Sequence, residues 1–294
     1  MPAPRSSSSP AAFGCSAAPP VASKRRALGQ HFLRDAAIAR AIVDLVAPTP
    51  KDRVVEIGPG EGALTVELAR RAGHVTALEV DKELAARLRA RGIERLEVLD
   101  ADARTWDYAS LRPMGGVGGE SLTPPISNGR VLVVGNLPYS VGKPILEALV
   151  TARTAIDEMA LMLQREVAER LAAPPGSKIY GSLSVLTQLY CDVRLALRVG
   201  PGAFKPPPKV DSAVAHLRVR ATPRVPLPDE RRFHVVVRAA FGQRRKMLAN
   251  ALAAGLSLPL DEARERAASA GIDPRRRAET LSIEEFAALA SRLA

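Results

Sequence analysis

The chain has 294 residues, 47% of them apolar, and 42 Lys plus Arg against 31 Asp plus Glu give a formal charge of +11. That suffices for one sizeable α/β domain with a smaller second one, and the positive excess suits a polyanionic partner. The two cysteines, Cys15 and Cys191, stand far apart and no His/Cys cluster offers four ligands, so neither a disulfide framework nor a bound metal is expected.

Residues 1–23, rich in Ser, Ala and Pro, read as a disordered tail. They lack the apolar block of an export signal, although one Arg and no acid is also the composition of an organelle transit peptide. No run approaches the roughly 20 apolar residues of a membrane span, so a cytoplasmic protein is expected. From Asp35, a good helix N-cap, apolar residues recur at Ile38, Ile42, Leu45 and Val46 until Pro48, which predicts a helix before the first strand. Short apolar runs follow at Val54–Ile57, Val75–Leu78, Leu96–Leu99, Val131–Val134 and Met159–Leu163, separated by segments of helical character. This alternation predicts a mostly parallel, doubly wound α/β sheet of Rossmann-like type. Residues 193–199 and 213–219 alternate as half-buried strands do, and would complete the sheet antiparallel. A Gly, Pro and Ser-rich stretch at 112–129 reads as a flexible inserted surface loop. After Pro223, Pro226 and Pro228 the pattern turns helical at 233–241, 246–254, 262–270 and 283–293. A boundary near 222 therefore separates a domain over 24–222 from a small all-helical one over 223–294.

The first strand runs into Gly58, Pro59, Gly60, Glu61 and Gly62, a turn in which glycine lets the backbone approach a ligand. Tight strand-to-helix turns use glycine without a ligand too, so the turn alone decides little. The second strand ends at Glu79, 17 residues beyond Gly62, where a carboxylate can accept both hydroxyl protons of a ribose. The third delivers Asp100 and Asp102 to the same edge, and either can accept from an adenine amine. The glycine spacing departs from that of dinucleotide binders, and no P-loop lysine follows. The turn instead resembles the first motif of S-adenosylmethionine methyltransferases, with Glu56 at the strand end, and leaves a nicotinamide oxidoreductase as the weaker alternative.

The fourth strand ends in Asn136, Leu137, Pro138 and Tyr139. An adenine N6 amine is a poor nucleophile because its lone pair is delocalised into the ring. Two acceptors on its hydrogens favour the pyramidal geometry that frees that pair. The side-chain carbonyl of Asn136 supplies one, and the backbone carbonyl of Leu137, restricted by Pro138, supplies the second. Tyr139 can stack on the base. Transfer in line then draws most of its rate from orientation, and needs no strong base. The plain alternative is a strand-end turn with Asn and Pro for turn chemistry and Tyr for packing.

Together with Leu28–Leu33, Asp102-Ala103 and Phe204–Ser212, these segments resemble the ribosomal RNA small-subunit adenine N6,N6-dimethyltransferase family over roughly 24–290. The resemblance implies S-adenosyl-L-methionine as cofactor, held by His31, Leu33, Gly58, Gly60, Glu79, Asp102 and Asn136. Several family members have Asn in place of His31. It also implies Phe204 as a second aromatic wall facing Tyr139 across a flipped adenine. From the residues alone, His31 is equally a surface residue and Phe204 a core one.

Basic clusters at Lys24-Arg25-Arg26, Arg244-Arg245-Lys246 and Arg275-Arg276-Arg277 suit phosphate contacts, although each is as readily a solvated face. The resemblance implies small-subunit rRNA and the immature small ribosomal subunit as partners, with two adjacent adenines in a hairpin loop near the 3′ end as targets, and a monomer by default. A large-subunit rRNA adenine methylase is the rival enzyme. A ribosome-assembly or transcription factor with little catalysis is the rival outside that class.

Overall fold

The computed structural model describes residues 31–112 and 129–293. The expected tail over 1–23, the Lys24-Arg25-Arg26 cluster and all but the ends of the expected loop lie outside them. A seven-stranded sheet forms the centre, in the order β4-β3-β2-β5-β6-β9-β7. The apolar runs became β2 (Arg53–Ile57), β3 (His74–Glu79), β4 (Leu96–Asp100), β5 (Val131–Asn136) and β6 (Glu158–Gln164), all parallel. Both alternating segments, β7 (Cys191–Val199) and β9 (Ser212–Val219), join antiparallel. The continuous burial of β2 and β5 explains why they read as unbroken apolar runs, since a parallel sheet is covered on both faces.

One face is covered by α1 (Ala36–Val46) and α2 (Thr65–Arg71), which bury Ile42, Val43 and Leu68 against Val54, Leu132 and Val134. Asp35 caps α1, accepting from the amides of Ala37 at 2.8 Å and Ile38 at 3.1 Å. The α3 helix (Lys82–Arg89) lies beyond it over β3 and β4. The opposite face carries α4 (Gly142–Thr151), α5 (Arg165–Leu171) and α6 (Ser182–Tyr190). The helices α7 (Glu230–Gly242), α8 (Leu248–Leu256), α9 (Leu260–Ser269) and α10 (Ile283–Arg292) follow the last strand. One apolar cluster runs from Leu161 and Leu217 of the sheet through Leu189 to Phe233, Leu252 and Phe286, so these helices share a core with the sheet.

The edge strand β7 carries a bulge where its register with β9 slips between Leu195 and Leu197. A further, two-stranded sheet joins β1 (Phe32–Leu33) to β8 (Phe204–Lys205). It brings the segment before α1 against the segment before β9, which puts both at the carboxyl ends of the parallel strands.

Candidate active site

A cavity of about 280 Å³ opens at the carboxyl edge of β2, β3, β4 and β5. This is where open α/β sheets hold ligands, at the point where the strand order reverses. Its floor is the glycine turn. Gly58 and Gly60 have φ of +65° and +55°, in the left-handed region that side chains avoid. At Gly60 a Cβ would also stand 2.8 Å from the Phe32 ring, so only glycine admits that ring above the turn.

Glu79 fastens this floor. One carboxylate oxygen accepts from the Gly60 amide at 3.1 Å and the other from the Asp81 amide at 3.0 Å. Burial raises the carboxyl above its ordinary range, while those amides pull it back down. Of the two acids near β4, only Asp102 reaches the cavity. Asp100 turns outward to Arg89, at 2.5 Å. The Arg104 guanidinium chelates Asp102, with Nε 3.0 Å from both oxygens, and holds that carboxyl below its usual range.

Glu56 forms part of the cavity wall yet is only 1% exposed. Burial pushes its carboxyl up to about 8. Thr65 lies beside it and eases that shift, but neither oxygen of Glu56 makes a hydrogen bond of good geometry.

Asn136, Leu137, Pro138 and Tyr139 line the opposite wall. The Asn136 side-chain amide donates to the His31 carbonyl at 2.8 Å. A carbonyl only accepts, so this bond fixes the amide's orientation and leaves the Asn136 side-chain oxygen as the free acceptor. Leu137 is held by its amide bonding to the Met162 carbonyl at 3.0 Å. The His31 ring lies 5.5 Å from that of Tyr139, tilted by 36°, with its Nδ1 2.8 Å from the Pro206 carbonyl oxygen. Leu33 is buried in the wall. The structure thus gathers His31, Leu33, Gly58, Gly60, Glu79, Asp102, Asn136, Leu137, Pro138 and Tyr139 around one space.

Two expected placements differ. Phe204 is not in the cavity wall. It pairs with Leu33 across the β1–β8 ladder and is 5% exposed among Met162, Val199 and Val214. A ring without polar atoms gains most by burial, and the small sheet supplies it. Arg244 is not an open phosphate ligand. Its guanidinium donates to the carbonyls of Lys178 and Tyr180 and pairs with Glu279 at 3.4 Å. Arg245 and Lys246 are exposed beside it and form no ion pair with another described residue. In the third cluster Arg275 pairs with Asp273 and Arg276 with Glu285. Sequence reasoning assigned no role to Arg104, although it directly follows Asp102-Ala103, nor to Ser212, whose buried hydroxyl meets that of Tyr139. Among the described residues no group of acids, histidines and cysteines could hold a metal, and no helix is long and apolar enough to cross a membrane.

The profile of the ribosomal RNA adenine dimethylase family matches residues 21–294. Ribosomal RNA small subunit methyltransferase A of Xylella fastidiosa is 42% identical over 269 residues, 91% of this chain and 95% of the relative. Its namesake in Moorella thermoacetica is 46% identical over 272 residues, 92% of each. Among solved structures, a dimethyladenosine transferase from Plasmodium falciparum superposes with a TM-score of 0.70 at 23% identity, over 88% of this chain and 96% of that one, a likeness of fold. The 23S rRNA methyltransferase ErmE gives 0.65 at 29% identity, over 89% and 99%. With 274 of its 294 residues matched by the profile, and with His31, Leu33, Gly58, Gly60, Glu79, Asp102 and Asn136–Tyr139 gathered on one cavity, the chain belongs to the ribosomal RNA adenine dimethylase family.

Proposed function

We propose that this protein uses S-adenosyl-L-methionine to dimethylate the N6 amines of two adjacent adenines in a hairpin loop near the 3′ end of small-subunit rRNA. The observation that carries the proposal is the Asn136 side chain, whose nitrogen is committed to His31 and whose oxygen is left to accept. The small-subunit relatives are 42% and 46% identical, against 29% for ErmE, and this favours the small subunit as substrate.

The residues present fit the cofactor. Glu79, at the end of β3, offers its carboxylate to a ribose, and Asp102 to an adenine amine. Glu56 is a buried carboxyl without a good partner in the same wall, and fits an ammonium group. His31 and Leu33 cover the space from above. The cofactor supplies an electrophilic methyl group on a sulfonium. The chain's own part is to orient and to exclude water. Asn136 and the Leu137 carbonyl accept from the target amine and draw its lone pair out of conjugation, while Tyr139 bears on the face of the base. Methylated N6 is far more acidic than the neutral amine, so its proton leaves to water and no protein base is needed. In this account residues 24–222 form the catalytic domain, and 223–294 the RNA-binding helical one, with Lys24, Arg25, Arg26, Arg245 and Lys246 against phosphates, while Arg244 ties the residues after α7 to the loop before α6. The protein acts on the immature small subunit, in the cytoplasm and as a monomer.

The test is transfer from radiolabelled cofactor to small ribosomal subunits lacking adenine dimethylation, followed by nucleoside separation. Label in N6,N6-dimethyladenosine is expected, and its loss in Asn136→Ala by at least about a hundredfold, the scale of a missing transition-state acceptor. Label only on large subunits would move the substrate, and binding without transfer would favour an assembly factor.

A further inference from the structure

We propose that Ser212 is a positioning residue for methyl transfer, its hydroxyl holding the Tyr139 ring in the one orientation in which it serves as a stacking surface for the target base. This rests on the cavity being an adenine methylation site. Ser212 is fully buried at the first position of β9 and lies outside the cavity lining. Its Oγ is 2.5 Å from the Tyr139 hydroxyl, and one of the two hydroxyls donates to the other.

The two partners differ in rigidity. Ser212 stands between Gln164 of β6 and Val199 of β7, in register with both, so the sheet fixes it. Tyr139 stands in the turn after β5, where the Val141 amide bonds to the Pro138 carbonyl at 3.1 Å. That bond sets the backbone and leaves the two side-chain torsions of Tyr139 free. Its ring borders the cavity, half-buried, with the His31 ring 5.5 Å away. With Phe204 buried elsewhere, the aromatic side chains on the cavity are Tyr139, His31 and Phe32. The hydrogen bond therefore ties a ring on a loop to a rigid strand, which is how a site keeps its geometry between turnovers. A ring that must find its orientation anew at each encounter contributes less to the rate. Positive charge develops on N6 as the new N–C bond forms, and an aromatic face already in place stabilises it.

The experiment is steady-state transfer to small subunits with labelled cofactor, for wild type, Ser212→Ala, Tyr139→Phe, the double variant and Ser212→Thr, with thermal unfolding of each. Either single substitution is expected to lower kcat by about fivefold, the scale of one neutral hydrogen bond, with the cofactor KM unchanged. The double variant should be no worse than the worse single one, since both remove the same bond. Ser212→Thr keeps the hydroxyl and should recover most of kcat. Wild-type kcat in Ser212→Ala, or losses that multiply in the double variant, would make Ser212 a packing residue and overturn the proposal. Should Ser212→Ala not fold, Tyr139→Phe decides alone: it breaks the bond from the cavity side, and an unchanged kcat overturns the proposal. Wild-type protein that labels no RNA would overturn the methylation reading and this one with it, whereas active wild type with an equally active Ser212→Ala overturns this one only.

Discussion

Glu56 sets stability against binding within a single side chain. In the folded, ligand-free protein its carboxyl titrates near 8, because burial penalises the charged form, whereas the unfolded chain gives it the ordinary value near 4.5. The folded state therefore keeps a proton that the unfolded state releases, and stability falls as the pH climbs from about 4.5 to 8, levelling above that. Glu56→Gln removes this slope. The variant should be more stable than wild type by an amount on the order of 4 kcal/mol at pH 8 and nearly equal to it at pH 4.5, as measured by urea unfolding at both values. The same substitution should weaken cofactor binding, since it deletes the charge that an ammonium group would meet. Little of this was legible beforehand. The acid at the strand end is a motif position, but its lack of a good partner depends on how closely Thr65 and the cavity wall approach it. The residues alone left Asp100 and Asp102 open and only the resemblance pointed to Asp102, because the distinction is made by Arg89 reaching across to Asp100.

At the scale of the element, the parallel strands and the late helices followed the apolar pattern closely, since burial on both faces of a sheet or along one stripe of a helix is itself a sequence period. The cap of α1 was legible too. Asp35 accepts from two amides at the end of a helix that starts directly after His31–Leu33, so its loss should loosen both the helix and the cofactor's cover. Asp35→Ala is expected to cost about 1 kcal/mol in urea unfolding and to weaken cofactor binding severalfold in a titration. An equal loss of stability with unchanged affinity would separate the cover from the cap. The β1–β8 sheet was not legible. Two strands of two residues each, joined across 175 positions by contacts such as His31 to Pro206, leave no period to detect. Phe204 went to the core for the same reason: the pairing that buries it is local in space and remote in sequence.

For the whole molecule, the formal charge of +11 anticipates a polyanion but not which cations face it. Many arginines are spent inside the fold. Arg130 ties Asp52 to Glu158, and Arg244 joins the loop before α6 to the residues after α7. Arg245 and Lys246 are free to meet phosphates. Replacing each by alanine should lower the slope of log affinity for small-subunit rRNA against log salt by about one unit, without changing which adenines are methylated. Binding measured between low and moderate salt checks this, and an unchanged slope would place the RNA elsewhere.

The bulge in β7 has a bearing on how this protein behaves in a crowded solution. β7 is one of the two edges of the sheet, with a row of backbone donors and acceptors that a second chain could extend into a shared ladder. The slipped register between Leu195 and Leu197 breaks the regular spacing such a ladder would need, and an antiparallel pairing of two copies centred on residue 196 would set Arg194 opposite Arg198, like charge against like. The same positive charge that suits the protein to RNA thus also guards the sheet against growing by adding copies of itself.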